Sequence, residues 1–314
     1  MSGVSVFMLI LIGLLLIYLV SGYYLSNLVI KKKSVPEPKL LSHLKEYLPE
    51  GEWEKIYDKF DKADKTKFDI DSPFGYTLTG YAVHNNKASD SWVIISHGVT
   101  ASKTRSLMYA DIFSKFNFNY VVYDHRCHGG STGKYISYGF YERYDMKVLV
   151  DEIKELYSPD IIGIHGESMG SGIALMYAGS VEDGVDFYVL DCPYDDFYEE
   201  MKFQINKKIT LPALLRKLIL KHTDLFITIR TGFSLKEVCP IKYVQNIQNP
   251  ILFINCRDDN YIPPYMTQNL FDKKSEGEKS IYWVDQGGHG GAFKADPKQY
   301  KLEIFKFLNE VTKK

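Results

Sequence analysis

The residues best suited to covalent chemistry stand at Gly166-Glu167-Ser168-Met169-Gly170, which fits the pattern G-x-S-x-G. The pentapeptide follows an apolar run, Ile161–Ile164, and precedes Ser171–Met176, whose composition suits a helix. A serine on such a strand-to-helix turn is presented on a sharp, strained elbow. The helix that follows aims its first amides at the place where negative charge would develop. The serine becomes a nucleophile only if a base takes its proton and an acid orients that base. Eight histidines are available: His43, His84, His97, His125, His128, His165, His222 and His289.

The elements that must position these groups follow from the apolar patterning. Phe68-Asp69-Ile70 and Tyr76–Val83 alternate about the turn Ser72-Pro73-Phe74-Gly75, a hairpin signal. Short apolar runs follow at Trp92–Ser96, Tyr120–Tyr123, Ile161–Ile164, Phe187–Leu190, Ile251–Ile254 and Ile281–Val284. Helical stretches such as Tyr141–Leu156 and Pro297–Val311 lie between them. Apolar strands alternating with helices predict an α/β fold with a mainly parallel sheet covered on both faces. Between Leu190 and Ile251 no strand is legible; Asp195–Arg230 reads as helical and serves naturally as a lid.

On a sheet of this kind the partners of an elbow serine follow it in the order acid, then histidine. Only His222 and His289 lie beyond Ser168, and His222 falls in the lid interval. His289 sits in Gly287-Gly288-His289-Gly290-Gly291, just past the Ile281–Val284 run, where a glycine-rich loop suits a mobile imidazole. The acid should close the preceding strand. Asp258 and Asp259 both follow Ile251–Cys256, and at least one of them is expected to be a turn former. Oxyanion donors are expected at the amide after the nucleophile, Met169, and in the loop after Trp92–Ser96, at Val99.

Four segments resemble the α/β-hydrolase superfamily, in the branch of BEM46-like and serine-aminopeptidase-like (S33-type) esterases. They are Ser96-His97-Gly98, Tyr123–Ser131, Gly166–Gly170, and Pro240–Tyr243 running on to Pro263. The resemblance spans about residues 68–312. It implies Ser168 as nucleophile, His289 as base and Asp259, four residues before Pro263, as orienting acid. It also implies a short helical lid. Three positions depart from the pattern: Cys256 replaces a glycine of the acid motif, Val99 stands where an aromatic is common, and Glu167 replaces a frequent histidine. His125, Cys127 and His128 are close in sequence, but a zinc site needs three or four ligands at suitable spacing. The resemblance makes their loop structural, and neither metal nor cofactor is expected.

The implied activity is hydrolysis of a carboxylic ester through a Ser168–Asp259–His289 triad and an acyl-enzyme, with a small-molecule or lipid ester as substrate. The alternatives are a peptidase, for which Asp195, Asp196, Glu199 and Glu200 would have to hold a substrate amine, and a membrane-tethered scaffold without activity.

Val4–Ile30 contains no charged residue and is long enough to cross a bilayer as a helix. Tyr18, Tyr23 and Tyr24 lie towards one end, and Lys31, Lys32 and Lys33 follow. No basic residue precedes the run and no small-residue cleavage site follows it, so an uncleaved, single-pass anchor is expected rather than a signal peptide. The lysines place the rest of the chain on the cytoplasmic face, with the extracellular face as the alternative. The expected division is an anchor over 4–30, a linker and amphipathic segment over 31–66, and a hydrolase domain over 67–314 with its lid at about 195–240. Within the middle segment, Ser34–Lys39 reads as linker and Leu40–Lys65 as helix broken at Pro49-Glu50-Gly51.

The 314 residues carry 38 Lys plus Arg against 39 Asp plus Glu, a near-balance that argues against a nucleic-acid partner. Apolar residues at 45% argue against disorder. The four cysteines, Cys127, Cys192, Cys239 and Cys256, form no C-x-x-C pair and read as small, buried, reduced residues.

Overall fold

A computed structural model describes residues 3–32, 34–85 and 89–312. Eight strands form one sheet: β1 (Asp64–Asp71), β2 (Thr77–His84), β3 (Ser91–Ser96), β4 (Asn119–Tyr123), β5 (Ile161–Glu167), β6 (Phe187–Asp191), β7 (Ile251–Cys256) and β8 (Lys279–Val284). Their order is β1-β2-β4-β3-β5-β6-β7-β8. β2 runs antiparallel to both of its neighbours, β1 and β4, and every other pairing is parallel.

The helices are α1 (Gly3–Ile30), α2 (Glu37–Tyr47), α3 (Glu52–Lys62), α4 (Lys103–Ser114), α5 (Glu142–Tyr157) and α6 (Met169–Ser180), then α7 (Phe197–Lys208), α8 (Ala213–Thr231), α9 (Pro264–Lys273), α10 (Ala292–Ala295) and α11 (Pro297–Val311). The strand residues alternate between two cores, one on each face. Trp92, Ile94, Tyr188, Leu190 and Phe253 enter one, while Val93, Ile95, Phe187, Val189 and Ile254 enter the other. This two-sided burial explains why the central strands read as unbroken apolar runs. α6 and the foot of α1 lie in the first core, and α2, α3, α4 and α11 lie in the second.

The segment after α1 differs from the expected linker. α2 begins at Glu37, inside Ser34–Lys39, because proline is tolerated in a first helical turn, where its missing N–H is no loss. The break at Pro49–Gly51 separates α2 from α3. Leu40, Leu44, Leu48, Trp53 and Ile56 are buried against the body, and β1 begins at Asp64, ahead of the alternation read from Phe68. Between β6 and β7 the described chain has α7, α8 and three short 3-10 turns, with no strand. Among the described residues one helix, α1, is long and apolar enough to cross a membrane.

Candidate active site

Ser168 stands where β5 turns into α6. Its φ of 54° and ψ of −111° lie outside the regions open to ordinary residues, a strain of about 1–3 kcal/mol. Its N–H donates to the Asp191 carbonyl at 2.9 Å, and its carbonyl accepts from the Gly172 N–H at 3.1 Å. Gly170 is required by space: a Cβ there would lie 2.0 Å from the carbonyl oxygen of Ser96.

His289 sits between Gly288 and Gly290, whose φ values of 67° and 64° favour glycine. Its Nε2 is 2.9 Å from Ser168 Oγ, and its Nδ1 is 2.8 Å from Asp259 Oδ2. A carboxylate at Nδ1 assigns the proton to that nitrogen and leaves Nε2 to accept from the serine hydroxyl. The other oxygen of Asp259 accepts the Tyr261 and Ile262 amides at 2.8 and 3.0 Å. The Asp259 side chain is wholly buried and the imidazole is 25% exposed. Asp258 points elsewhere and accepts the Gly287 and Gly288 amides at 2.9 and 2.8 Å. The Cys192 thiol, Asp259 and His289 bring potential ligand atoms within 4.8 Å of one another. Burial holds that thiol's pKa well above its ordinary value, and a metal needs the thiolate.

Met169 is the first residue of α6, so its amide is one of the four that a helix leaves without an internal acceptor. Val99 lines the same cleft as Ser168. The loop that carries it runs close to the elbow serine: a Cβ on Gly98 would be 3.6 Å from that of Ser168.

Three further residues surround the site without any local signal in the sequence. Arg105 on α4 clamps Glu167 with contacts of 2.6 and 2.8 Å, and both side chains are largely buried. Tyr47 on α2 packs its ring 5.0 Å from the Arg105 guanidinium and donates its hydroxyl to the Gly290 carbonyl. The elbow and the histidine loop are thereby tied together through two helices. Asp191 closes β6, accepts from the Tyr300 hydroxyl at 3.1 Å, and is pushed up to about 7 by burial and by the nearby Glu167 charge.

The remaining histidines take other places. The His125 amide donates to His97 Nε2 at 3.1 Å, and the Thr100 amide donates to His128 Nε2 at 3.3 Å. Burial holds all three imidazoles below their ordinary pKa, His97 at about 3. Neutral and hydrogen-bonded, they knit the β3 and β4 loops together beneath Val99. His222 lies on α8 against Tyr18 and Ser21 of α1, away from Ser168.

The cleft above Ser168 and His289 has a volume of about 380 Å³. Lys32, Val35, Leu40 and His43 form part of its lining. Ser34 and Val35 cross the loops at the end of the sheet: the Gly129 amide donates to Ser34 Oγ, and the Val35 amide donates to the Thr100 carbonyl. Tyr261 covers the imidazole, with ring centroids 4.8 Å apart.

Sheet order, elbow and cleft define a class, and the chain belongs to the α/β-hydrolase superfamily. The sequence model of the family described as serine aminopeptidase, S33, matches residues 87–229. The uncharacterized protein YqkD of Bacillus subtilis (strain 168) is 37% identical over 258 residues, 82% of this chain and 83% of that protein. The esterase Pf2001 of Pyrococcus furiosus aligns with a TM-score of 0.66 at 22% identity, over 81% of this chain and 94% of that one. The acylaminoacyl peptidase of Pyrococcus horikoshii aligns at 0.59 and 16% identity, over 83% of this chain and 44% of that one. At these identities the two structural likenesses speak for the fold.

Proposed function

We propose that this protein is a serine hydrolase that cleaves carboxylic esters. The observation that carries the reading is the unbroken chain from Ser168 Oγ through His289 to Asp259, with contacts of 2.9 and 2.8 Å, set on a strained elbow. Ser168 attacks the acyl carbonyl while His289 Nε2 takes its proton. Asp259 holds the imidazole and stabilises the imidazolium. The Met169 and Val99 amides stabilise the oxyanion, at about 3 kcal/mol for each donor. His289 then protonates the leaving alcohol, and water, activated by the same imidazole, releases the acid. The name of the Pyrococcus furiosus structure, an esterase, agrees with this chemistry.

The finer reading is an ester that partitions into membranes. α1 is the anchor, and Lys32 and Val35, directly after it, line the cleft that holds Ser168. The peptidase reading finds less support in the lid acids. Asp195 accepts from Asn269, Asp196 caps α7 and Glu199 pairs with Lys202. Burial pushes the Glu200 carboxyl up to about 7, so none of the four stands as a free fixed anion for an amine.

The test is hydrolysis of p-nitrophenyl esters from acetate to palmitate by the full chain and by Ser168→Ala, with a fluorophosphonate as covalent probe. Turnover and adduct that both vanish in the variant support the proposal. Turnover of aminoacyl arylamides without ester turnover moves it to a peptidase, and the absence of any adduct moves it to a scaffold.

A further inference from the structure

α8 leans on α1 through contacts that climb one turn at a time. Arg230 donates to Ser26 Oγ at 2.5 Å and to Asn27 Oδ1 at 2.8 Å. One turn higher, Gly22 receives the Phe226 ring so closely that a Cβ there would lie 2.3 Å from it. A turn beyond that, the Tyr18 and His222 rings meet at 4.2 Å. Pairs in the order 26 with 230, 22 with 226 and 18 with 222 make the two helices parallel, both running towards the body. The first half of α8 therefore extends beyond the Gly22–Phe226 contact, alongside the apolar part of α1.

That part of α1 is at bilayer depth. A hydrocarbon core of about 30 Å takes about 20 helical residues. α1 has 28, and its buried positions, Gly22, Ser26, Val29 and Ile30, all fall in the last third, where it docks on the protein. The stretch before Gly22 is left for lipid.

The outer face of α8 continues this surface. At about 100° per residue, Leu214, Leu218, Leu225 and Ile229 fall within an arc of about 60°. They are 68%, 51%, 46% and 69% exposed, a row of large apolar side chains that the described residues leave about half open or more. Between this row and α1 runs a groove of about 630 Å³ whose lining includes Leu14, Ile17 and Ile219. Lys217 adjoins the row on the side away from α1 by helical spacing, while Lys221 is itself part of the groove's lining; both have stems long enough to carry their charge to the interface.

We infer that α8 is embedded in the bilayer beside α1, with acyl chains of the lipid covering its leucine row and filling the groove. The lid is then a fixed membrane-seated element and not a flap that opens into water. This rests on the reading of α1 as an anchor and is independent of the esterase chemistry.

The test uses the full chain in phosphatidylcholine vesicles whose acyl chains are brominated, with one tryptophan added at a time. Leu15→Trp reports α1, Leu214→Trp reports α8, and Leu302→Trp, on the exposed side of α11, reports the body. Correct folding is checked by comparing each variant's thermal unfolding with that of the unsubstituted chain. The expected result is quenching of the added emission at position 214 within about twofold of that at position 15, with none at position 302. Quenching at 15 with none at 214 overturns the lid proposal and leaves the anchor. No quenching at 15 overturns both. Emission at 214 that is shielded from bromine only at high protein-to-lipid ratio assigns the row to a second copy of the chain and also overturns the proposal.

Discussion

Asp258 and Asp259 are neighbours in the chain, yet they serve different parts of one loop. Asp259 takes the His289 ring at 2.8 Å, while Asp258 takes the Gly287 and Gly288 amides just before it. One carboxylate sets the imidazole, and the other sets the backbone that carries it.

Asp259→Asn should therefore lose about 10⁴-fold in kcat on a soluble ester, because the amide selects the wrong imidazole tautomer. Asp258→Asn keeps a carbonyl for both amides and should lose less than about tenfold. Steady-state rates of the two variants check the ranking, and the reverse order would remove Asp259 from the triad.

Gly170→Ala should destabilise the fold by about 3 kcal/mol, since its Cβ would meet the Ser96 carbonyl at 2.0 Å and backbone cannot yield cheaply. Gly98→Ala, whose Cβ would have its closest contact at 3.5 Å, should be close to neutral. Denaturant unfolding of the pair distinguishes a packing requirement from a general preference for glycine near the site.

Arg105→Met leaves the Glu167 carboxylate buried without its cation, a loss of about 3–5 kcal/mol. Arg105→Met combined with Glu167→Met should recover most of that stability. A double-mutant cycle that gives no coupling would show the clamp to be energetically idle.

The Asp191 carboxyl is pushed up to about 7 from an ordinary value of 3.8. The folded protein thus keeps a proton that the unfolded chain releases between about pH 4 and 7, and raising the pH through that window removes stability. Asn cannot titrate, so the unfolding free energy of Asp191→Asn relative to the unsubstituted chain should rise from pH 4 to pH 8 by a few kcal/mol, read from denaturant unfolding at each pH. A constant difference across that range would contradict the assigned burial effect.

Much of the fold was legible because the signals are local. The run Trp92–Ser96 lies in β3, Pro297–Val311 is α11, and the alternation about Ser72–Gly75 is the β1–β2 hairpin. The elbow at Gly166–Gly170 was legible for the same reason, since strand, turn and helix adjoin there. Spacing alone could not choose between Asp258 and Asp259; adjacent residues differ only in where the turn aims them, and the family resemblance supplied the choice. The Tyr47–Gly290 and Arg105–Glu167 contacts join residues 243 and 62 positions apart and leave no periodic trace. The start of α2 within the expected linker was hidden by Pro36 and Pro38, which read as breakers although one precedes the helix as its cap residue and the other sits in a first turn that accepts it.

The strap between α1 and α2 has a practical consequence. Lys32 and Val35 are part of the wall of the cleft, and Ser34 and Val35 are bonded to the loops that flank it. A soluble fragment made by cutting before α2 would be a differently shaped catalyst, with one side of its vestibule missing. Selectivity measured on such a fragment would describe a wider mouth than the one the intact chain presents to its substrate.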